Sequence, residues 1–206
     1  MSKACEGGRW TTLLYLLLKA EMEKEWHVYN RGIGGDTTWH ALDRFDDDIK
    51  PLLPAYVLIE YGFNDASVPE GRRIARCGLA AFRENISEII RKVRAGKGKP
   101  ILIVNHPICP REIPQGNRRT YVQNFRPYQA AIRELAKATK TPMIDLEREM
   151  VRAGVDLHRL LTKDGLHLSA EGNAIYANFV FASFASVAGI KVKGALPPVA
   201  TWNVLA

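Results

Sequence analysis

The chain has 206 residues, 47% of them hydrophobic and 25% charged, and a formal net charge of +7. That length and composition fit one globular domain with a core of its own, and exclude a disordered, collagenous or repeat-built chain. The basic excess raises nucleic acid as a partner, but the cations (Arg91, Lys92, Arg94, Lys97, Lys99, Arg118, Arg119, Lys137, Lys140) are spread over helices and loops with no recognition motif and no interleaved aromatics, so a solvated surface is the better reading and no nucleic-acid partner is expected.

In chain order, Arg9 to Lys24 has Trp10, Leu13, Leu14, Leu17 and Leu18 at spacings of three and four, the period of an amphipathic helix. The apolar run Leu13–Leu18 within it is too short for a signal peptide or a membrane span. His27 to Asn30 reads as a short strand running into Gly32, Gly34 and Gly35, after which Asp36-Thr37-Thr38 offers N-cap chemistry for one helix carrying Ala41, Leu42, Phe45 and Ile49. Tyr56 to Tyr61 is β-rich and continuous enough to be buried on both faces. A helix over Leu79–Arg94 is stopped by Gly96-Lys97-Gly98, and Ile101–Asn105 is the next strand. Pro107 to Gln123 is a long loop with Arg111, Arg118 and Arg119, of the kind that shapes the mouth of a site. Helix Arg126–Thr139, strand Pro142–Leu146 and a short helix over Glu147–Ala153 follow; Ser169 caps the last helix, with Glu171 in its first turn. Three cysteines, Cys5, Cys77 and Cys109, fit neither a disulfide framework nor a zinc pattern and favour a reducing compartment, the cytoplasm. Alternation of strand and helix predicts an α/β fold, a parallel sheet with helices on both faces and its site at the carboxyl ends of the strands.

Three stretches carry the candidate chemistry. Gly62-Phe63-Asn64-Asp65 comes directly off a strand, where an asparagine amide can be aimed at a developing oxyanion; alone it also reads as an Asn-Asp turn. Asn30 to Thr37 joins a strand to a helix, and its glycines let backbone N–H groups approach an anion at the helix N-terminus. A phosphate site is one reading, but the G-x-G-x-x-G order and a following G-K-[ST] are both missing and Asp36 would repel phosphate, so a small, transient oxyanion fits better; a plain tight turn fits as well. Asp164-Gly165-Leu166-His167 puts a carboxylate where it can accept from one imidazole nitrogen, leaving the other as a base. No other His or Cys stands at a spacing that would complete a metal set, so neither a metal nor another cofactor is expected. His40 and His106 have no such carboxylate partner and are read as structural, His106 as the one to line a pocket.

Taken together and in this order, the three stretches resemble the SGNH hydrolases, the GDSL-like lipase and acylhydrolase family, over the chain from about Trp10 to the end of the last helix. The resemblance implies a three-layer, flavodoxin-like α/β/α domain over residues 1–188, with 189–206 as a C-terminal tail, and a serine esterase acting on a small-molecule or carbohydrate ester. It further implies that the Gly35 backbone N–H and the Asn64 side-chain amide are the oxyanion donors, that Asp164 orients the base, and that His167 is the base.

The departure is at the start. The family's G-D-S block, which ends the first, central strand and carries the nucleophile, is not found before Trp10; Ser2 is the serine in that neighbourhood and lacks the preceding Gly-Asp. The expectation is that the sequence begins just beyond the block, so that the nucleophile is absent and the strands near Val28 and Val57 lose their shared neighbour, leaving a poorly soluble or unstable chain. A non-catalytic binding protein on the same fold, or a phosphate- or nucleotide-binding α/β module, are the alternatives. Oligomeric state stays open, and the apolar tail after Gly189 packs on its own domain or on a partner chain.

Overall fold

A computed structural model of the protein describes residues 8–22, 24–110 and 113–193. Its helices are α1 (Trp10–Glu21), α2 (Thr38–Asp43), α3 (Phe45–Asp48), α4 (Phe63–Ala66), α5 (Leu79–Ala95), α6 (Tyr121–Thr139), α7 (Leu146–Arg152), α8 (Leu157–Leu160) and α9 (Ala170–Ala188); its strands are β1 (Tyr56–Ile59), β2 (Lys99–Val104) and β3 (Met143–Asp145). The class is mixed α/β with a parallel sheet, as expected, in the order β1-β2-β3. The chain divides into two compact units, one of Arg31–Asn105 and Pro110–Met143, the other of Met1–Asn30, His106–Cys109 and Ile144–Ala206 as far as these are described.

In the first of these, β1 and β2 pair in parallel from Tyr56 opposite Lys99 to Ile59 opposite Leu102, and the Leu102 amide donates to the Pro142 carbonyl at the start of β3. Ile101, Leu102, Ile103 and Val104 are all buried, each side chain contributing about 1.5–3 kcal/mol. β1 is only half-buried apart from Ile59, less than the expected burial on both faces. The stripe Phe82, Ile86, Ile89, Ile90 and Val93 puts one face of α5 into the core, as its spacing predicts. Gly96 ends the helix and leaves room for Leu53, whose Cδ1 lies 2.3 Å from where a Cβ would stand.

Element ends shift by one to three residues in several places, and two differences are larger. α6 begins five residues before Arg126, because Thr120 and Gln123 form a reciprocal capping box (Gln123 N–H to Thr120 Oγ1 3.2 Å, Thr120 N–H to Gln123 Oε1 2.8 Å), and Pro127 is accommodated inside. The single helix expected after Thr38 is broken into α2, α3 and a 3-10 turn over Lys50–Leu52. The break falls at Arg44, whose backbone leaves the helical region (φ −100°, ψ 6°) and whose side chain is drawn to Asp36 and Asp48.

The other unit is built on α9, whose Ile175, Tyr176, Phe179, Val180 and Phe184 are buried. α1 lies against it through Leu14 and Leu18, with Trp10 packed on Tyr176 (ring centroids 5.0 Å) and the Trp10 amide donating to Asn173 Oδ1 at 3.0 Å. Ser169 caps α9, its Oγ accepting from Gly172 N–H at 2.8 Å. A glycine at 172 is required: the Leu160 carbonyl oxygen is 1.8 Å from the position of a Cβ. His27 to Asn30, expected as a strand, joins no strand ladder among the described residues, and His27 and Tyr29 are exposed. At the far end the Lys193 amide donates to the Glu21 carbonyl at 2.8 Å; the rest of the expected tail, from 194 on, lies outside the described residues, as do Ser2, Cys5 and Arg111. Among the described residues no helix is long and apolar enough to cross a membrane.

Candidate active site

The turn before α9 is shaped by one carboxylate. Asp164 Oδ1 accepts from the Thr162 hydroxyl (2.8 Å) and from the amides of Leu166 (2.8 Å) and His167 (2.9 Å), while Oδ2 lies 2.5 Å from His167 Nδ1. Gly165 takes φ +70°, the left-handed conformation such a turn needs, and the turn is closed by Thr162 N–H to His167 O at 2.8 Å. Burial alone would push the Asp164 carboxyl up; the hydrogen bonds from the His167 ring, the two amides and Thr162 outweigh it and hold the group well below the usual carboxylate range. An ionised Asp164 only accepts, so a neutral His167 carries its proton on Nδ1 toward Asp164 and keeps its lone pair on Nε2. Asp164 and His167 are thus in direct contact.

Beneath this turn is a residue whose role the sequence does not reveal. His106 is buried, stands edge-on to the Tyr176 ring (5.8 Å), and its Nε2–H donates to the Leu166 carbonyl at 2.9 Å; three residues on, the Cys109 amide donates to the Gly165 carbonyl at 3.0 Å. Burial lowers the His106 pKa from the ordinary 6.5 to about 4, against the pull of the Leu166 carbonyl and with a smaller push from His167. As pH falls below 6.5 the unfolded chain protonates this ring while the folded chain resists until about 4, so stability is lost on acidification, by up to about 3 kcal/mol from this group. Asp164, with its depressed pKa, acts in the same direction at lower pH. Urea melts between pH 7.5 and 4.5 are expected to show this loss, with a flatter profile for His106→Gln; equal slopes in the two proteins would contradict it.

The other unit holds Gly35 and Asn64. Gly35, at φ +90°, ends a turn in which the Asp36 amide donates to the Ile33 carbonyl at 3.3 Å, and Thr37 then caps α2, its amide donating to His40 Nδ1 at 3.0 Å. That bond gives His40 the structural role expected for it. Asn64 is on α4, which starts at Gly62 with φ +122°; the space a side chain would take at 62 is filled by the Phe125 ring at 3.3 Å. Asp65, fully buried, ties the two stretches together: Oδ1 accepts from the Thr38 amide (2.8 Å) and hydroxyl (2.7 Å), and Oδ2 from the Gly62 amide (3.2 Å). Asn85 Nδ2 donates to Thr38 Oγ1 at 3.0 Å, completing a buried polar cluster.

Arg76 makes the second link. Its guanidinium donates to the Gly35 carbonyl at 2.8 Å and to Asn64 Oδ1 at 3.4 Å. Because arginine only donates, this turns the acceptor end of the Asn64 amide toward Arg76 and leaves Nδ2 available as a donor. The sequence alone assigns no role to Arg76 or Asp65: Asp65 meets Thr38 and Arg76 meets Gly35 far away in the chain, and Arg76 lies in an irregular segment with no periodicity. Arg118 and Arg119, on the loop expected at the mouth of a site and read there chiefly as solvated cations, are exposed, and Arg119 lines a shallow groove with Gln123, Arg126, Pro127 and Ala130. Among the described residues no group of three or more His, Cys, Asp or Glu is placed to hold a metal ion.

Comparison with known proteins bears on the family of the chain. Residues 2–175 match the model of the GDSL-like Lipase/Acylhydrolase family. The lipoprotein YqeF of Bacillus subtilis (strain 168) is 29% identical over 178 residues, covering 76% of this chain and 70% of that protein. The isoamyl acetate-hydrolyzing esterase of Saccharomyces cerevisiae is 26% identical over 186 residues, covering 85% and 76%. Among solved structures, the lipase/acylhydrolase from Enterococcus faecalis is similar with a TM-score of 0.69 and 28% identity, over 90% of this chain and 88% of that one.

Proposed function

The chain belongs to the GDSL-like Lipase/Acylhydrolase family, and from that premise we propose that it is a serine esterase whose base is His167, oriented by Asp164, and whose oxyanion donors are the Gly35 N–H and the Asn64 amide. The observation that carries the reading is the Asp164 carboxylate at 2.5 Å from His167 Nδ1, which leaves Nε2 to take a proton. In the reaction a serine hydroxyl attacks the ester carbonyl as Nε2 removes its proton; the two donors stabilise the tetrahedral oxyanion. His167 then gives the proton to the leaving alcohol, and water, activated by the same nitrogen, releases the acid from the acyl-enzyme. Within the unit that holds His167, the described serines are Ser169, the cap of α9, Ser183, which donates to Glu149 at 2.5 Å, and the exposed Ser186 near the end of α9. Ser2 lies outside the described residues. Short acyl esters are the proposed substrates, in keeping with the acetate ester in the name of the yeast relative.

The test is hydrolysis of p-nitrophenyl acetate by the 206-residue chain, by its Ser2→Ala variant, and by a form carrying a Gly-Asp-Ser block ahead of Trp10. Hydrolysis by the 206-residue chain that Ser2→Ala abolishes identifies Ser2 as nucleophile; hydrolysis only with the added block assigns that role to its serine. In whichever form is active, Asn64→Ala is expected to lower kcat by about 10²–10³ with little change in KM, the cost of one oxyanion donor. No hydrolysis in any form, or an Asn64→Ala variant as active as its parent, would count against the esterase reading.

A further inference from the structure

We infer that His106 is a positioning residue: its Nε2–H holds the Leu166 carbonyl and thereby sets where the His167 ring stands. The inference rests on the reading of Asp164 and His167 as orienter and base. The turn that carries them is on the surface, with the His167 side chain 76% exposed and that of Asp164 40%. The bonds of Asp164 to Thr162, Leu166 and His167 give the turn its shape but are internal to it, so they do not fix its place on the domain. The base of the turn is tied by the Leu161/Leu168 bridge and Ser169 N–H to Leu160 O, and its tip by residues 106–109, which take two successive outward carbonyls, Gly165 by the Cys109 amide and Leu166 by the His106 ring.

The Leu166 carbonyl is the more consequential of the two. It shares a rigid peptide plane with the His167 N–H, and that N–H donates to Asp164 Oδ1 at 2.9 Å. The plane is therefore held at both ends, by His106 on the oxygen side and by Asp164 on the nitrogen side. If the oxygen end is released the plane can swing, carrying the His167 Cα with it and loosening the 2.5 Å approach of Nδ1 to Asp164 Oδ2. A carbonyl only accepts, so His106 must present Nε2–H, and its burial against Tyr176 makes it a stiff donor under an exposed turn. A histidine that merely fills space would be replaced by any side chain of similar size; a positioning histidine is replaced only by one that keeps an N–H at the Nε2 position. Glutamine does so, and leucine does not.

The experiment follows ring protons by long-range 1H–15N correlation spectra of the full chain labelled on histidine, with thermal melts alongside. In the wild type and in His106→Gln, neutral His167 is expected as the Nδ1–H form with its proton shifted to low field by Asp164. In His106→Leu the ratio of Nδ1–H to Nε2–H is expected to fall about 2- to 10-fold, the worth of one weakened hydrogen bond. A folded His106→Leu variant with the wild-type ratio overturns the inference. Should that variant fail to melt cooperatively, the wild-type His106 ring decides: the Nε2–H form upholds the bond to Leu166, and the Nδ1–H form overturns it. A wild-type His167 lacking the Nδ1–H form, with His106 as Nε2–H, instead overturns the reading of the base, and the two failures are thus told apart.

Discussion

In the form of the chain that hydrolyses p-nitrophenyl acetate, His167→Ala is expected to lower kcat by about 10⁶ and Asp164→Asn by about 10⁴. The alanine variant loses the group proposed to move the serine proton, and what survives is the stabilisation proposed for Gly35 and Asn64. The asparagine variant is the more informative. Wild-type Asp164 divides its work, Oδ1 serving Thr162 and the amides of Leu166 and His167 and Oδ2 serving the ring. Asparagine has one acceptor oxygen for both tasks. If that oxygen stays with the backbone, the NH₂ group faces Nδ1 and drives the proton of the ring to Nε2, the wrong nitrogen for a base. The turn then survives while the chemistry fails. Single-turnover rates with melting curves separate the two effects: a modestly lowered but still cooperative melt with a loss of about 10⁴ in rate is expected, and either variant keeping its rate within about tenfold would contradict the assignment.

The largest effect on stability is expected at Asp65, not at the turn. Asp65→Ala leaves the Gly62 amide, the Thr38 amide and the Thr38 hydroxyl without their acceptor in a site closed to water. Each orphaned donor costs about 1–3 kcal/mol, and since the three share one site their sum is not additive, so a loss of about 3–5 kcal/mol is expected. For a domain of this size that corresponds to a fall in Tm of about 10 °C. Asp65→Asn should be milder toward Thr38 but sets an NH₂ group against the Gly62 N–H. Thr38→Val, made singly and with Asp65→Ala, completes a double-mutant cycle; melts of Asp65→Ala within about 2 °C of the wild type, on a scale of about 2–4 °C per kcal/mol, would show that the cluster is not held this way.

Local regularity and short-range chemistry are legible in the amino-acid sequence itself. The apolar period of α1 and α5, the Ser169 cap, and the Asp164–His167 pair each depend on residues a few positions apart. What escapes a reading of the sequence depends on distance along the chain or on competition between local signals. Thr38 meets Asp65 across 27 positions, Arg76 meets Gly35 across 41, and His106 meets Leu166 across 60, with nothing in the intervening sequence to announce them. Pro127 suggests the first turn of a helix because proline is favoured there, yet the stronger capping box at Thr120 sets the start. His27 to Asn30 has strand-like residues, but a strand exists only by pairing, and the described residues give it no ladder.

The Asp164 turn has one more consequence. Every bond that shapes it is made between Thr162 and His167, so these six residues behave as a cassette. Loops elsewhere in the chain are free to lengthen, shorten or drift in sequence without altering its internal geometry, provided that residues 106–109 go on meeting the Gly165 and Leu166 carbonyls. Grafting the cassette onto another scaffold would accordingly carry over the bonds of Asp164 to the backbone, but the setting of the His167 ring only where the new scaffold offers a donor to the Leu166 carbonyl.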